Sequence, residues 1–251
     1  MMRRYVHDGL RGVVPFIGTE ADDLIMFSHT TDRTIGRKLF TDGWWDRDSL
    51  PRVVELSGIS FSGAVMVEVG ANIGTTTVQA AKLGARVVAF EPDPINFRLL
   101  RANVAVNGLD DSVTCIEAAC SAMEGTAALQ RSAVNDGEHR LSPDGDTPVP
   151  VVSVDGALRD REIAASDVAL LWIDAEGHEA WVFNGATELL AARPAVLTEL
   201  WPKALGAKVD VLDRASTVYS AVIDMRTGER TSVRAAADRY RNELTDLLFV
   251  P

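Results

Sequence analysis

Cysteine is nearly absent: the 251-residue chain holds two, Cys115 and Cys120. Two thiols cannot build the disulfide framework that staples small secreted domains. Both fall in a stretch that reads as strand and following loop, so they are expected to be buried or inert. Cations are also in deficit, with 25 Lys and Arg against 36 Asp and Glu and a net charge of −11. Such a balance is wrong for neutralising phosphates along a nucleic acid or for docking on anionic lipid, so no nucleic acid and no membrane are expected as partners. No apolar run approaches the roughly 18 residues that cross a bilayer. The basic start (Met1, Met2, Arg3, Arg4, Tyr5) is not followed by an apolar segment. No signal peptide is read, and the cytoplasm is the expected location. What is present is ordinary for a folded domain: 47% hydrophobic and 24% charged residues exclude a wholly disordered chain.

Pattern divides the chain near residue 62. Residues 1–62 are irregular and read as an N-terminal extension packed on a larger domain of residues 63–251. In the extension, Phe16–Ile17 and Leu24–Phe27 suggest one or two short strands, Thr34–Phe40 a short helix, and Ser49-Leu50-Pro51 the opening of another. From residue 64 apolar Val-rich runs alternate with helical patterns. The runs Ala64–Val69, Arg86–Phe90, Val113–Glu117, Val168–Ile173 and Ala195–Leu200 read as buried parallel strands. Thr75–Leu83, Pro94–Asn107 and His178–Ala192 read as helices, the first two stopped by Gly84 and Gly108. Asp155 is placed as the cap of a helix reaching about Arg161. Val218–Asp224 and Thr245–Val250 read as late strands forming a hairpin-like pair. The expected fold is α/β: a Rossmann-like, doubly wound, mostly parallel sheet of seven strands with the last antiparallel. Arg131–Pro150 is the least apolar stretch and reads as a long surface loop, a candidate lid together with Trp44-Trp45.

Two signals carry chemistry. Glu68-Val69-Gly70-Ala71-Asn72-Ile73-Gly74 lies between a strand and a helix. Gly70 lets the chain turn tightly, and Gly74 allows close approach of the helix start. Asn72 stands where a dinucleotide fingerprint needs its second glycine, which disfavours a nicotinamide-dependent oxidoreductase. Glu91 ends the next strand, where an acid in this architecture can accept hydrogen bonds from both hydroxyls of a ribose.

These residues carry a resemblance. Glu68 to Gly74, followed by Phe90-Glu91-Pro92-Asp93, resembles the nucleotide half of the class I S-adenosylmethionine-dependent methyltransferases. Trp172-Ile173-Asp174-Ala175-Glu176-Gly177-His178-Glu179, Phe183-Asn184-Gly185-Ala186, Pro194–Trp201 and Asp246–Val250 narrow it: the chain resembles the FkbM-type methyltransferase family over roughly residues 60–250. The resemblance implies S-adenosylmethionine as cofactor. It would be held by Glu68, Gly70, Ala71, Asn72 and Gly74, with Glu91 on the ribose, Ala118 and Ala119 beside the adenine, and Asp174 facing the methionine end or the acceptor. It implies methyl transfer to a hydroxyl of a small molecule, a sugar or natural product. N-methylation and a non-catalytic cofactor-binding module are the alternatives, and a homodimer is compatible with it.

For catalysis the candidates are Asp174, His178 and Glu199, within an acid cluster that also counts Glu176 and Glu179. Carboxylates at the ends of neighbouring strands can deprotonate an acceptor, bind a divalent cation or orient sugar hydroxyls; no metal site is assigned. Trp172 reads as core, and Trp201 and Trp44-Trp45 as candidate walls of the acceptor site. His139 and Arg140 lie on the loop that would close over it.

Overall fold

Residues 2–132, 135–200, 211, 214–240 and 245–251 are described by the computed structural model. The chain opens with helix α1 (Met2–Leu10), in a stretch expected to be irregular. Only His7 of this helix is buried, its ring 5.8 Å from that of Phe40, and α1 packs along α2. Strands β1 (Phe16–Ala21) and β2 (Leu24–His29) pair antiparallel, and helices α2 (Ile35–Asp42) and α3 (Ser49–Ser57) follow. Buried Asp32 anchors the start of α2, its carboxylate accepting from the backbone N–H of Thr34 and Gly36 at 2.8 Å each.

The expected strand–helix alternation then runs as β3 (Val65–Val69), α4 (Thr75–Lys82), β4 (Arg86–Phe90), α5 (Pro94–Val106) and β5 (Val113–Ile116). A small second sheet comes next, from β6 (Ala119–Cys120), β7 (Gly125–Gln130), β8 (Arg140–Leu141) and β9 (Thr147–Val152). Within the stretch expected to be a surface loop, β8 and the first residues of β9 are strand. Val149 and Val151 of β9 point into a small core while Pro148 and Pro150 point outward. Proline is tolerated there because β6 pairs with β9 only at Val151 and Val152, leaving that side of β9 free at the prolines.

Helix α6 (Val154–Arg159) leads to β10 (Val168–Ile173), α7 (Glu179–Asn184), α8 (Thr187–Ala191) and β11 (Ala195–Leu200). Two local expectations are corrected here. Ser153, not Asp155, caps α6, through its hydroxyl on the N–H of Gly156; Asp155 instead accepts from the N–H of Glu188 and Leu189 and so caps α8. The single helix expected over 178–192 is broken at Gly185. A Cβ on that residue would lie 2.0 Å from the carbonyl oxygen of Ser121, so the chain passes too close for anything but glycine.

The main sheet has eight strands, one more than expected: in spatial order β13 (Arg230–Ser232), β12 (Ala221–Asp224), β14 (Thr245–Val250), β11, β10, β3, β4, β5. The five strands from β11 to β5 are parallel, and β14 is antiparallel to β11 as expected. The hairpin joins β12 to the extra edge strand β13, while β14 returns between β12 and β11. Alternate residues feed two cores, one on each face. Met66, Val87, Ala89 and Leu170 pack with α4, α5 and the residues 1–62 segment, whereas Val67, Phe90, Leu171 and Ile173 pack with α6, α7 and α8. Leu24, Met26, Leu39, Leu50 and Val53 belong to the first of these cores, so the N-terminal segment shares its apolar interior with the sheet.

The segment is also tied by hydrogen bonds. Asn103 and Asn107, one turn apart on α5, face the free edge of β2. Asn103 accepts from Phe27 N–H at 2.6 Å and donates to the Phe27 carbonyl at 3.1 Å. Asn107 makes the same pair of bonds with Ile25, at 2.9 and 2.8 Å. Asn103 donates as well to the Ile73 carbonyl in the glycine turn, at 2.7 Å.

Candidate active site

Strands β3, β4, β10 and β11 end at the same edge of the sheet, so the residues that terminate them meet. They open onto a cleft of about 670 Å3. Glu68, Gly70, Ala71, Asn72, Glu91, Ala118, Ala119, Asp174, His178 and Glu199 all line it. Of the site residues expected from the sequence, Gly74 alone stands outside. A Cβ there would lie 2.5 Å from Leu100 Cδ1, so Gly74 permits α4 to pack on α5 and does not face the cleft.

The glycine turn is built by close backbone contact. Gly70 and Ala71 donate to the Phe90 carbonyl, at 3.0 and 2.9 Å. Gly70 has φ +85°, and a Cβ on it would meet the carbonyl oxygen of Asp174 at 1.8 Å. The turn and the end of β10 can therefore be this close only with glycine present. Asn72, at φ +53°, takes up the left-handed conformation that asparagine tolerates, and its own side chain accepts from Ile73 N–H at 2.6 Å. The asparagine at this position thus has a local backbone reason.

Glu91 is buried at 4% exposure, yet it lines the cleft. Its two carboxyl oxygens accept from the N–H of Asn72 (2.8 Å) and Asp93 (2.7 Å). Each oxygen keeps a second lone pair for a ligand. Burial outweighs those bonds and pushes its pKa up to about 8. Glu68, equally buried, accepts from the Thr77 hydroxyl and is also pushed by burial to about 8. Its bond to α4 makes it a brace of the glycine turn.

These shifts set a sign for stability. In the unfolded chain both glutamates titrate near the ordinary value of 4.5, while folded they hold their protons to about 8. Their contribution is complete below the unfolded value and lost as pH rises through the folded one. The melting temperature is expected to be lower at pH 9 than at pH 6, and Glu68→Gln should flatten the difference. A melting temperature that climbs from pH 6 to 9 would contradict the burial of these protons.

Asp174, Glu176 and Glu199 converge in the same cleft. Each offers one carboxyl oxygen, and the three oxygens lie within 4.8 Å of one another. Among the described residues none of the three carboxyls has a hydrogen bond or ion pair. Asp174 is the exposed member of the three; loss of surrounding water, then Glu199 and Glu176, raise its pKa. Glu176 and Glu199 are each pushed to about 7, by burial first; Asp246 follows for Glu199, which it faces across β14. Three such groups cannot all be ionised at neutral pH without a cation; they can share protons or hold a divalent ion.

The turn presenting this cluster depends on Glu179. Its buried carboxylate accepts from the N–H of Ala175 (3.2 Å) and Gly177 (3.0 Å), holding a loop in which Glu176 has φ +50° and Gly177 φ +95°. His178 follows, its Nε2 3.0 Å from the Ser121 hydroxyl and its ring stacked on Trp181. Burial lowers its pKa to about 4, so it is neutral at physiological pH and a weak base.

Residues 131–132 and 135–141 line the cleft as well, contributing Arg131, His139 and Arg140. They are pinned to the sheet edge. Asn72 and Asn96 donate to the Asp136 carbonyl, at 3.2 and 2.9 Å, and Arg131 pairs with buried Asp93. Asp93 also caps α5 through Ile95 and Asn96 N–H. Sequence reasoning quoted Asp93 only as part of a pattern; an acid just before Pro94 at a helix start is the signal that finds it. Trp45 lines the cleft, whereas Trp44 is buried in the core. Trp172, expected in the core, is half-buried and also reaches the cleft wall. Glu117 points away from the cleft, and Trp201 falls outside the described residues.

Among the described residues no helix is long and apolar enough to cross a membrane. Comparison with known proteins agrees with the geometry. The hexuronic acid methyltransferase AglP of Haloferax volcanii is 29% identical over 137 residues, covering 54% of this chain and 55% of that protein. Methyltransferase sdnD of Sordaria araneosa is 30% identical over 114 residues, covering 44% and 40%. The chain thus matches about half the length or less of these curated relatives. The crystal structure of methyltransferase FkbM from Methylobacillus flagellatus superposes with a TM-score of 0.51 at 18% identity, covering 76% of this chain and 44% of that one, which shows a shared fold. The model of the methyltransferase FkbM domain matches residues 68–215, more than half of the chain. With the glycine turn, Glu91 and the Asp174–Glu179 loop brought to one sheet edge, the chain belongs to the FkbM methyltransferase family.

Proposed function

We propose that this protein transfers a methyl group from S-adenosylmethionine to a hydroxyl of a small molecule, a sugar or natural product. The carrying observation is that one cleft is lined both by Glu91 with the glycine turn and by a cluster of three unpartnered carboxyls. Glu91 and the turn fit the nucleoside of the cofactor, since each Glu91 oxygen has a lone pair to accept from a ribose hydroxyl. Small Ala118 and Ala119 leave room for a flat base beside it. When bound, the cofactor supplies an already activated sulfonium methyl. The chain's own part is to orient the acceptor, exclude water and take the hydroxyl proton.

Glu199 is the residue assigned to that proton. Its pKa of about 7 matches a base working near neutrality, it is open to the cleft, and no protein donor occupies it among the described residues. His178 binds Ser121 and is too weakly basic to compete, so its role is in the wall of the acceptor site. Asp174, whose backbone lies against Gly70 of the glycine turn, is assigned to the cofactor's amino end. A carboxylate base in this position suits O-methylation, since an acceptor hydroxyl must lose its proton in the transfer. The hexuronic acid acted on by the Haloferax relative is in keeping with a sugar acceptor.

Calorimetry tests the cofactor. S-adenosylhomocysteine is expected to bind and NAD not to. Glu91→Ala should weaken binding by about 1–3 kcal/mol, the cost of leaving buried hydrogen-bonding groups without their partner. Tight binding of NAD with no response to S-adenosylhomocysteine would refute the assignment.

A further inference from the structure

A second pocket, of about 850 Å3, lies between α1 and α2, and its chemistry is the reverse of the cleft's. Its walls carry Arg3, Arg4, Arg33, Arg37 and Lys38, with Asp42 as the one acid. Among the described residues no carboxylate lies within ion-pair distance of any of the five cations; Lys38 Nζ instead sits 5.1 Å from the centre of the Trp45 ring. This gathering occurs in a chain of net charge −11. The first 62 residues hold eight Lys and Arg against nine Asp and Glu, so they carry −1 of that total. Unpaired like charges repel, and five of them around one hollow call for a multiply charged anion between them. The amino end of α2 does not serve as the anion site, because Asp32 already occupies it.

The pocket adjoins the cleft. Trp45 lines both, and α2 turns Ile35 toward the cleft while Arg37 and Lys38 face the basic hollow. The cleft itself is lined by eight acids and two arginines, one of which pairs with Asp93. An anion is repelled from the cleft and drawn to the hollow beside it. We propose that the methyl acceptor carries a phosphate or diphosphate ester, which the α1–α2 pocket holds while a hydroxyl of the same molecule reaches the acid cluster past Trp45. The excess of cations over what one carboxylate neutralises, and the forked donors of four arginines, favour phosphate. Opposite fields at the two ends also fix which way the acceptor enters. This rests on the methyltransferase reading for the identity of the cleft, but not for the existence of the anion site.

The test uses the full chain with inorganic pyrophosphate as probe, followed by calorimetry at matched ionic strength. Pyrophosphate is expected to bind the wild type and to bind at least tenfold more weakly to the double variant Arg33→Ala/Arg37→Ala. A second variant on the other helix, Arg3→Ala/Arg4→Ala, should weaken it in the same direction. Affinity for S-adenosylhomocysteine, measured alongside, should be unchanged in both, which keeps a folding defect and a failure of the cofactor assignment separate from this result. Co-sedimentation with phosphatidylglycerol vesicles separates the sources of the ester. Retention that pyrophosphate competes away indicates a lipid-borne phosphate, and pyrophosphate binding without retention a soluble one. No pyrophosphate binding, or equal binding by the wild type and both variants, would overturn the proposal.

Discussion

Replacing Glu199 by glutamine is expected to lower the rate of methyl transfer by roughly 10²- to 10⁴-fold, the range for loss of a positioned general base. The change keeps shape and hydrogen-bonding reach but removes the ability to take a proton. Glu199 ends β11 within 4.8 Å of Asp174 and Glu176, and burial and Asp246 hold its pKa to about 7. The wild-type rate should therefore rise with pH and level off above about 7, because the base works only when deprotonated. That limb belongs to the coupled cluster, not to one carboxyl. Glu176→Gln should accordingly shift its midpoint downward, by relieving repulsion, while costing less rate than Glu199→Gln. Binding of S-adenosylhomocysteine should change little in either. A Glu199→Gln enzyme with the wild-type rate and pH profile would remove Glu199 from the chemistry. If activity instead vanishes with a chelator and returns with a divalent cation, the three carboxyls act as metal ligands.

Gly70→Ala should cost more stability than any surface change in this chain, about 4 kcal/mol or more, or prevent folding altogether. The added methyl would sit 1.8 Å from the Asp174 carbonyl oxygen, and β3 and β10 are too firmly paired on either side to separate. A control isolates the cause. Gly108 also has positive φ, +66°, but nothing lies within 4 Å of its Cβ position. Gly108→Ala should show only the backbone strain, about 1–2 kcal/mol. Urea unfolding of the two variants measures the difference; equal losses would mean that the close approach at Asp174 is not what demands glycine at position 70.

Much of this architecture was legible because buried parallel strands leave a strong mark. β3, β4, β10 and β11 each read as a mostly apolar run, since both faces of the sheet are covered, and their observed ends fall within about a residue of the expected ones. The glycine turn and Glu91 were legible for a related reason: a turn that tight restricts which residues can stand there. What escaped was decided by contacts distant in sequence. Nothing local in Gly185 distinguishes a helix break from a tolerated glycine; the Ser121 carbonyl does. Asp155 looks like the cap of the helix beside it and instead caps one more than thirty residues away. Only the start of β9 was hidden, by prolines that signal a loop unless the strand has a free side. The acid cluster was visible as a set of residues, but its pKa values follow from burial and mutual distance, which no spacing encodes.

The paired asparagines of α5 have a consequence for how such a protein diversifies. Asn103 and Asn107 grip β2 only through the main-chain groups of Phe27 and Ile25. A grip on the main chain is blind to side-chain identity. The outward-facing positions of the first hairpin, among them Phe16, Ile25 and His29, can therefore be exchanged without loosening the attachment. In a library built by shuffling these side chains, the cofactor half would remain unaltered while the outer face of the hairpin is resurfaced. The two asparagines work as a fixed socket into which different hairpins can be plugged.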